Sequence, residues 1–259
     1  MIHNTAIISD RATIGEDVSI GPYAVIGPAV TIGAGTVVGA HTVIDGKTTI
    51  GRGNRIFNNC SLGTAPQDIS YAGEDTELVI GDHNTIREFC LFNRGTPKGG
   101  GVTTIGSHNL LMGYVHVAHD CIINDRVIIA NATQMAGHVT IDSNANIGGL
   151  CGIHQFCRIG SFCMVGGCAA ISEDVLPYSM VAGNRARTMG LNRIGLVRNG
   201  FAEPVVKALK HAFRLIFQSR MNTTEALKNL KTTYPDMQEI QYLIDFIQSS
   251  QRGISGYKS

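Results

Sequence analysis

The chain has 259 residues, a formal charge of +1 at pH 7 and only 16% charged residues. This balance argues against a general nucleic-acid-binding surface, which needs a large excess of Lys and Arg. The sequence begins without a basic segment leading into an apolar run, and it contains no apolar stretch of about 18 residues. We therefore expect no secretory signal, no transmembrane segment and a cytoplasmic location.

An aliphatic residue recurs every six positions along most of the chain. One series runs from Ile2 to Leu62 and a second from Ile105 to Ile171. A six-residue period fits neither a helix nor an alternating strand, and it is typical of a solenoid built from short strands and turns. Three hexads would close one coil of about 18 residues, and successive coils would stack as parallel strands about 4.8 Å apart.

Two other positions of the hexad have a regular composition. Glycine often follows the aliphatic residue, as at Gly15 and Gly33, and we expect it to adopt the positive φ that a sharp corner needs. The position two residues before the aliphatic residue is usually small, which suits a narrow interior. Six of the seven cysteines occupy it, and we interpret them as buried apolar residues rather than ligands or disulfide partners. They are Cys60, Cys90, Cys121, Cys151, Cys157 and Cys163.

The hexad pattern breaks in two places. Between Leu62 and Ile80 the inward positions hold Asp68 and Glu74, and a glycine-rich segment separates Phe92 from Ile105. We expect both segments, about 65–78 and 93–104, to leave the coil as loops. Loops that project from a rigid scaffold often carry function, and two neighbouring loops would form one wall of a pocket.

The pattern changes again after Pro177. Segments 201–219, 223–234 and 236–252 have the periodicity of amphipathic helices, with Thr223 or Thr224 and Asp236 as candidate N-caps. The sequence thus predicts an all-β solenoid over residues 1–183 and a helical domain over residues 184–259.

Four histidines lie within 39 residues of one another, and none occupies an inward position. They are His116, His119, His138 and His154. Asp120 precedes His138 by 18 residues and Gly137 follows His119 by 18, so each pair is one coil apart. A histidine near a carboxylate and a free N–H suits acyl transfer to a hydroxyl, but clustered histidines also suit zinc. Spacing alone leaves both possibilities open, together with a non-catalytic binding solenoid.

A set of short motifs then makes the signal specific. They are Pro66-Gln67-Asp68, Asn93-Arg94-Gly95-Thr96, His116-Val117-Ala118-His119-Asp120-Cys121, Ala136-Gly137-His138-Val139, His154-Gln155-Phe156, Val165-Gly166-Gly167-Cys168 and Gly190-Leu191-Asn192. With the hexads, they make the chain resemble the UDP-N-acetylglucosamine O-acyltransferases of lipid A biosynthesis, a family of hexapeptide-repeat acyltransferases. The resemblance runs from the first hexad to the last helix.

The resemblance implies a left-handed parallel β-helix that forms a homotrimer with active sites between subunits. The implied reaction moves an (R)-3-hydroxyacyl group from acyl carrier protein to the glucosamine 3-hydroxyl of UDP-N-acetylglucosamine, with no cofactor and no metal. By resemblance His119 is the general base, Asp120 orients it, and the Gly137 N–H stabilises the oxyanion. The positions that match substrate contacts are Asp68, His116, His138 (near the acyl chain), His154, Gln155, Asn192 and Arg198, and Gly167 matches the position that limits acyl length.

Three positions depart from the family pattern: Ser70 stands where some members have lysine, Asn93 replaces a common histidine, and Asn199 replaces an arginine. All three lie in or near the expected nucleotide site. Transfer to a 3-amino analogue of the sugar, or another hexapeptide acyltransferase activity, therefore stays open. Four basic residues in and directly after the first long predicted helix would suit either an acidic carrier protein or simple solvation. They are Lys207, Lys210, Arg214 and Arg220.

Overall fold

The computed structural model describes residues 1–257, and in it the hexads form a left-handed parallel β-helix followed by a helical region. The first strands are β1 (Ile7–Ile8), β2 (Thr13–Ile14), β3 (Ser19–Ile20), β4 (Val25–Ile26), β5 (Val30–Ile32), β6 (Val37–Val38), β7 (Val43–Ile44), β8 (Lys47–Ile50) and β9 (Arg55–Ile56). They continue with β10 (Ser61–Thr64), β11 (Glu77–Ile80), β12 (Thr85–Ile86), β13 (Leu91–Asn93), β14 (Val102–Ile105), β15 (Leu110–Leu111), β16 (His116–Val117), β17 (Ile122–Ile123) and β18 (Ile128–Ile129). The last are β19 (Gln134–Met135), β20 (Thr140–Ile141), β21 (Asn146–Ile147), β22 (Gly152–Ile153), β23 (Arg158–Ile159), β24 (Met164–Val165), β25 (Ala170–Ile171), β26 (Ser179–Ala182) and β27 (Arg187–Leu191).

As far as β25, every third strand belongs to the same sheet, so the coil has three faces. One sheet runs from β1 through β16, β19 and β22 to β25, a second from β2 to β23, and a third from β3 through β18, β21 and β24 to β26. The pairing is parallel, and partners in regular coils are 18 residues apart, as in His116↔Gln134 and Gln134↔Gly152. Among the strands of residues 1–257, only β26 and β27 pair antiparallel, as a hairpin. The predicted coil length is therefore confirmed.

The aliphatic residues of the hexads fill the interior. From Ile20 onward they form one continuous core, and the six cysteines predicted to be small core residues are buried within it. All seven cysteines are free, and only Cys168 is exposed. Burial raises the pKa of the Cys121 and Cys163 thiols to about 12. This agrees with their interpretation as inert packing residues.

The expectation that the glycines supply the positive φ was wrong. Gly15 and Gly33 do not have positive φ, and the left-handed corner lies two residues later, at Asp17 (φ 54°) and Gly35 (φ 67°). In most coils this corner is a non-glycine residue, such as Tyr114 (φ 63°). A Cβ atom at Gly33 would lie 2.5 Å from the carbonyl carbon of Gly51 in the next coil. Glycine is therefore needed here because successive coils approach closely, and not because of its backbone freedom.

Two loops leave the coil where the hexad pattern breaks. They span residues 65–76, between β10 and β11, and residues 94–101, between β13 and β14, where Pro97–Gly99 forms a short 3-10 helix. Both are shorter than expected because β11, β13 and β14 extend into the predicted segments. The loops touch each other: Lys98 Nζ lies 3.0 Å from Ser70 Oγ, and Arg94 Nη2 lies 3.1 Å from Tyr71 OH.

In the described part of the chain, four α-helices follow the coil: α1 (Arg193–Arg198), α2 (Glu203–Gln218), α3 (Thr223–Thr233) and α4 (Gln238–Gln248). The sequence predicted the last three, and the short α1 was missed. The N-cap predictions were wrong: Asn222 caps α3 in a capping box with Glu225, and Met237 precedes α4. Within residues 1–257, no helix combines the length and the apolar character needed to cross a membrane.

Contacts between distant segments fix the helices on the coil. The Tyr242 hydroxyl bonds Asp142 and accepts a hydrogen bond from the Ser161 N–H at 3.0 Å. After α4 the chain returns to the coil, where Asp174 N–H donates to the Gly253 carbonyl at 2.8 Å. This bond holds Arg252, the residue before Gly253, beside the outer face of the coil. The division into domains at residue 183 stays a prediction.

Candidate active site

A cleft of about 1070 Å³ opens over the sheet that contains β16, β19, β22 and β25. His116 and His119 line one end, and Gln67 of the first loop forms part of the wall. The other end is lined by polar and charged residues, and the small residues Gly152 and Ala170 lie between. The predicted residues that line the cleft are His116, His119, Gly137, His154 and Gln155.

His119 and Asp120 form a hydrogen-bonded pair at this cleft. His119 Nδ1 lies 2.7 Å from Asp120 Oδ2, and the Asp120 side chain is only 1% exposed. An ionised carboxylate accepts hydrogen bonds and cannot donate them, so Nδ1 carries the proton and the neutral ring keeps its lone pair on Nε2. The pair therefore presents a basic nitrogen with a fixed tautomer.

The second loop holds Asp120 in place. Thr96 donates its backbone N–H to Asp120 Oδ1 at 2.7 Å and its hydroxyl to Oδ2 at 2.6 Å. Gly99 packs so closely that a Cβ atom there would lie 2.0 Å from Asp120 Cγ. The loop thus satisfies the buried carboxylate, which would otherwise carry a large desolvation cost.

Gly137 lies directly against the His119 ring. A Cβ atom at position 137 would lie 2.4 Å from His119 Cε1 and 2.8 Å from Nε2, so only glycine leaves room for this imidazole. The Gly137 N–H forms no hydrogen bond with any of residues 1–257. A free backbone donor and a basic nitrogen therefore occur side by side in the cleft.

His138 lies one coil beyond Asp120, as its spacing predicted. Its Nε2 is 3.6 Å from Asp120 Oδ2, its ring packs edge-on against His119 at 5.2 Å, and it stacks on Phe156 at 4.5 Å. Burial lowers the pKa of His138, the charge of Asp120 opposes that shift, and His119 adds to it. His119, Asp120 and His138 also bring three ligand atoms within 4.8 Å of one another, a spacing that a metal could use.

Asn93 explains how His116 is oriented. The Asn93 Nδ2 donates to the Ala65 carbonyl at 2.9 Å, which turns its Oδ1 toward His116 Nε2 at 3.0 Å. Because an amide oxygen only accepts, His116 carries its proton on Nε2. Burial, followed by the charge of His119, lowers the pKa of His116. At this position the resemblance led us to expect a histidine, and the asparagine gives His116 a defined tautomer.

Asp68 lies beside the cleft and not on its lining. Its Oδ1 accepts hydrogen bonds from the Ser70 N–H at 2.7 Å and the Ser70 hydroxyl at 2.8 Å. The backbone N–H of Ser70, and then its hydroxyl, lower the pKa of Asp68, with smaller contributions from Lys98 and His119. Ser70 thus keeps this carboxylate ionised at the edge of the histidine cluster.

Asn192 and Arg198 lie elsewhere on the same chain. They line a second cleft of about 510 Å³, over the sheet that contains β18, β21 and β24. Asn192 caps α1 by accepting from the Gly195 N–H at 3.1 Å, and Arg198 is exposed at the end of that helix. Gly167 is exposed at a corner after β24 and lines neither cleft. One subunit alone does not bring all the predicted residues together.

Sequence reasoning missed three residues that contact the predicted site residues: Thr96 and Gly99, which pack on Asp120, and Arg252, which lines the first cleft. Thr96 is in one of the family motifs and Gly99 is in the glycine-rich segment after it, but nothing in the sequence connected either residue to Asp120. Arg252 lies in the segment after α4, 98 residues from the histidine that it contacts, and no pattern signalled that contact.

Known proteins match this architecture closely. A family model described as Udp N-acetylglucosamine O-acyltransferase, Domain 2, matches residues 174–255, and one described as Bacterial transferase hexapeptide (six repeats) matches residues 11–46 and 103–137. The acyl-(acyl-carrier-protein)–UDP-N-acetylglucosamine O-acyltransferase of Aliarcobacter butzleri is 48% identical over 209 residues, which cover 79% of this chain and 78% of that relative.

Solved structures agree. LpxA from Acinetobacter baumannii superposes with a TM-score of 0.96 at 47% identity, covering 98% of this chain and 99% of that one. UDP-N-acetylglucosamine acyltransferase from Campylobacter jejuni gives 0.94 at 38% identity, covering 100% of both chains. The coil and its cleft define a hexapeptide-repeat transferase. Within that class, the chain belongs to the UDP-N-acetylglucosamine O-acyltransferase family.

Proposed function

We propose that this protein transfers an (R)-3-hydroxyacyl group from acyl carrier protein to the glucosamine 3-hydroxyl of UDP-N-acetylglucosamine, the first step of lipid A biosynthesis. The observation that carries the proposal is the His119–Asp120 pair, which faces the cleft with the free N–H of Gly137 beside it. The names of the relatives give the substrates, and this pair gives a chemistry that fits them.

In the proposed mechanism His119 Nε2 removes the proton of the sugar 3-hydroxyl as its oxygen attacks the thioester carbonyl. The Gly137 N–H stabilises the negative charge that develops on the carbonyl oxygen. The tetrahedral intermediate then collapses, the C–S bond breaks, and His119 returns its proton to the departing carrier thiolate. Asp120 holds the imidazole in the required tautomer and stabilises the transient imidazolium.

The sugar nucleotide lies next to this pair in our proposal. His116 lines the end of the cleft beside this pair, Asp68 borders it, and their polar groups suit the hydroxyls of a sugar. His154 and Gln155 line the cleft farther along the coil, where they can reach other oxygens of the sugar nucleotide. Asn192 and Arg198 contact the nucleotide, since a guanidinium forms bidentate bonds with phosphate oxygens. His138, stacked on Phe156, borders the start of the acyl chain.

We further propose that the active unit is a homotrimer. Asn192 and Arg198 line a different face from His119, so a single sugar nucleotide can contact all of them only if a neighbouring subunit supplies one set. Exposed apolar side chains border the second cleft, including Ile194 at 68% and Val197 at 60% exposure. Exposed apolar groups of this kind mark a surface that is covered in an assembly.

Two finer assignments complete the proposal. Gly167, exposed and without a side chain, leaves room for a long acyl chain at the subunit boundary. The carrier protein docks on the basic side of α2, where Lys210 and Arg214 have no acidic partner within residues 1–257, whereas Lys207 pairs with Glu203 at 2.8 Å. The reaction takes place in the cytoplasm and needs no cofactor. The free thiols of the cysteines suit that reducing compartment.

Product analysis tests the reaction. The protein is incubated with a panel of hydroxyacyl carrier proteins and either UDP-N-acetylglucosamine or its 3-amino analogue, and the products are weighed by mass spectrometry. We expect the ester of the first sugar. A preference for the amide, or for an unrelated acceptor, would establish one of the alternatives instead. His119→Ala should lower turnover by about 100- to 10,000-fold. The exposed His41→Ala is the matched control, and full activity in a folded His119→Ala protein would exclude His119 as the base.

Mixed subunits test the shared site. His119→Ala and Arg198→Ala proteins, each nearly inactive alone, should regain part of the activity when denatured together and refolded, because some boundaries then carry both intact residues. Two His119→Ala preparations with different affinity tags serve as the control and should regain none. Absence of recovery in mixed oligomers would place both residues in the site of one subunit.

Zinc catalysis is a second candidate because His119, Asp120 and His138 have suitable spacing. Two histidines and a carboxylate, with one open position, are a known ligand set for catalytic zinc. Metal analysis of the active protein decides between the candidates. Stoichiometric zinc, with activity that chelation removes and zinc restores, would favour the metal mechanism over the histidine base.

A further inference from the structure

Arg252 enters the cleft from the C-terminal segment. The Asp174 N–H donates to the Gly253 carbonyl at 2.8 Å, and the Ser255 N–H donates to the Asp174 carbonyl at 2.9 Å. These bonds fix the backbone immediately after Arg252 against the last coil. The Arg252 side chain thereby becomes part of the cleft lining, at the end away from His119.

There Arg252 contacts His154. Its Nη2 lies 3.2 Å from His154 Nδ1 and 3.0 Å from the Ser172 carbonyl oxygen. A guanidinium only donates hydrogen bonds, so the first contact requires a lone pair on Nδ1 and places the His154 proton on Nε2. The second contact fixes the guanidinium in the orientation that makes the first possible.

A second neighbour of the same nitrogen favours the opposite tautomer. His154 Nδ1 also lies 3.2 Å from the Gln155 carbonyl oxygen, and that contact would need a proton on Nδ1. At equal distance the bond from the charged guanidinium prevails, because charge-assisted hydrogen bonds are about twice as strong as neutral ones. Without Arg252, the neighbouring carbonyl would determine the tautomer.

The surroundings of Arg252 argue against a purely structural role. No carboxylate of residues 1–257 lies within 4.0 Å of its guanidinium, and its Nε is buried without a hydrogen-bond partner. A partly buried cation without a counterion costs free energy. The fold alone gains little from such a group, whereas a functional histidine gains a defined tautomer.

We propose that Arg252 is a positioning residue that holds His154 with its proton on Nε2, so that His154 donates a hydrogen bond to an oxygen of the sugar nucleotide. This inference rests on the proposed function for the identity of the ligand. The tautomer itself does not depend on that function. It is a property of the protein without substrate, so the two claims can fail separately.

Nitrogen NMR tests the tautomer directly. Histidine is labelled with ¹⁵N, and the His154 signals are identified by their loss in His154→Gln. In the unmodified protein Nδ1 should give the shift of an unprotonated nitrogen and Nε2 that of a protonated one. Arg252→Met should exchange or mix the two states, and Arg252→Lys, which keeps a donor, should restore them in part. An unchanged His154 tautomer in Arg252→Met would overturn the proposal, whatever the enzyme's substrate.

Kinetics then test whether the tautomer matters. Arg252→Met should lower kcat/KM for the sugar nucleotide by about tenfold to a hundredfold, the effect of removing a partner that orients a functional histidine. In a His154→Ala background the same change should have almost no further effect. Independent, additive losses would mean that Arg252 acts on its own and would refute the positioning role.

Arg187→Met is the matched control because Arg187 lies beside the same C-terminal segment, near Gly256, and does not line the cleft. It should keep both the His154 tautomer and the kinetic constants. If the unmodified protein shows the expected tautomer but no acyl transfer, the proposed function fails while the assignment of Arg252 to His154 stands.

Discussion

Thr96 donates both its hydroxyl and its backbone N–H to the carboxylate of Asp120, at 2.6 Å and 2.7 Å. The second loop therefore holds the proposed catalytic pair in place, in addition to forming a wall beside it. Since Asp120 in turn bonds His119, the position of a surface loop controls the orientation of the proposed base.

Thr96→Val should test this link. Valine keeps the shape of threonine but removes the hydroxyl, and a hydrogen bond to a charged group contributes about 1.5–3 kcal/mol. We expect kcat to fall by about tenfold to a hundredfold, with little change in KM for the sugar nucleotide. Steady-state assays measure this, and Thr96→Ser, which keeps the hydroxyl, should retain most of the activity. A normal kcat in Thr96→Val would separate the loop from catalysis.

Gly137→Ala should inactivate the enzyme without unfolding it. The new methyl group would overlap the His119 ring, 2.4 Å from Cε1, and the ring must move away. Misplacement of a catalytic group by about 1 Å costs about a hundredfold in rate. Turnover measures the loss, and circular dichroism checks the fold. Relief of the overlap in Gly137→Ala/His119→Ala should bring thermal stability back to that of His119→Ala.

The close approach of successive coils predicts opposite outcomes for two glycines. Gly33→Ala would force a Cβ atom to 2.5 Å from backbone of the next coil, and overpacking of this kind costs about 1–3 kcal/mol of unfolding free energy. At Gly152, no heavy atom of residues 1–257 beyond its chain neighbours lies within 4 Å of the Cβ position, and φ is not positive. Gly152→Ala should therefore be neutral or stabilise by up to about 1 kcal/mol. Urea unfolding compares them, and equal stabilities would contradict the proposed role of the hexad glycine.

His116 should titrate below the ordinary histidine value of about 6.5, because burial and then the charge of His119 lower its pKa. His119→Gln removes the second cause and should raise the midpoint, although burial keeps it below the ordinary value. Proton NMR of the imidazole follows both titrations.

The same shift has a consequence for folding. Below about pH 6.5 the unfolded chain binds a proton at His116 that the folded protein resists, so this residue lowers stability progressively as the pH falls. His116→Gln should therefore flatten the decline of stability on the acid side. An unchanged pH profile would contradict the lowered pKa.

Tyr242→Phe should weaken the attachment of the helices to the coil. The hydroxyl links α4 to Asp142 and Ser161, which lie in the coil, and burial followed by the charge of Asp142 raises its pKa. Loss of these partly buried bonds should cost about 1–3 kcal/mol. Thermal unfolding measures the change. Tyr257→Phe, which removes an exposed bond to Gln218, is the control and should change stability by no more than about 0.5 kcal/mol.

The coil could be predicted from sequence because each hexad repeats one local requirement, an aliphatic residue that faces a narrow interior. The same regularity placed His138 beside Asp120 and Gly137 beside His119. The prediction for the corners was wrong, because the hexad glycine is required by the close approach of the neighbouring coil. A single hexad does not reveal that approach. Residues such as Tyr114 adopt the positive φ instead, although the backbone preference of a non-glycine residue does not favour it.

The remaining contacts of the site could not be predicted because no repeat relates the residues involved. Thr96 reaches Asp120 from a loop outside the coil, and Arg252 reaches His154 across 98 residues. Asn192 and Arg198 were assigned from the resemblance, but a motif does not tell which face of the coil a residue occupies. The repeat therefore predicts contacts between residues of successive coils, but it does not predict contacts that the loops and the C-terminal segment make with the coil.

The three-sided coil also determines which changes in chain length the enzyme can tolerate. Insertion of a single hexad before Gly137 would keep every aliphatic residue inward, yet it would turn the rest of the coil by about one third of a revolution. Gly137 and His138 would then face another side of the prism, away from His119. Insertion of three hexads would keep the face but move them about 4.8 Å farther along the axis. Natural length variation should therefore be confined to the two loops and the ends, because the number of residues between His116 and His154 fixes the relative positions of the site residues.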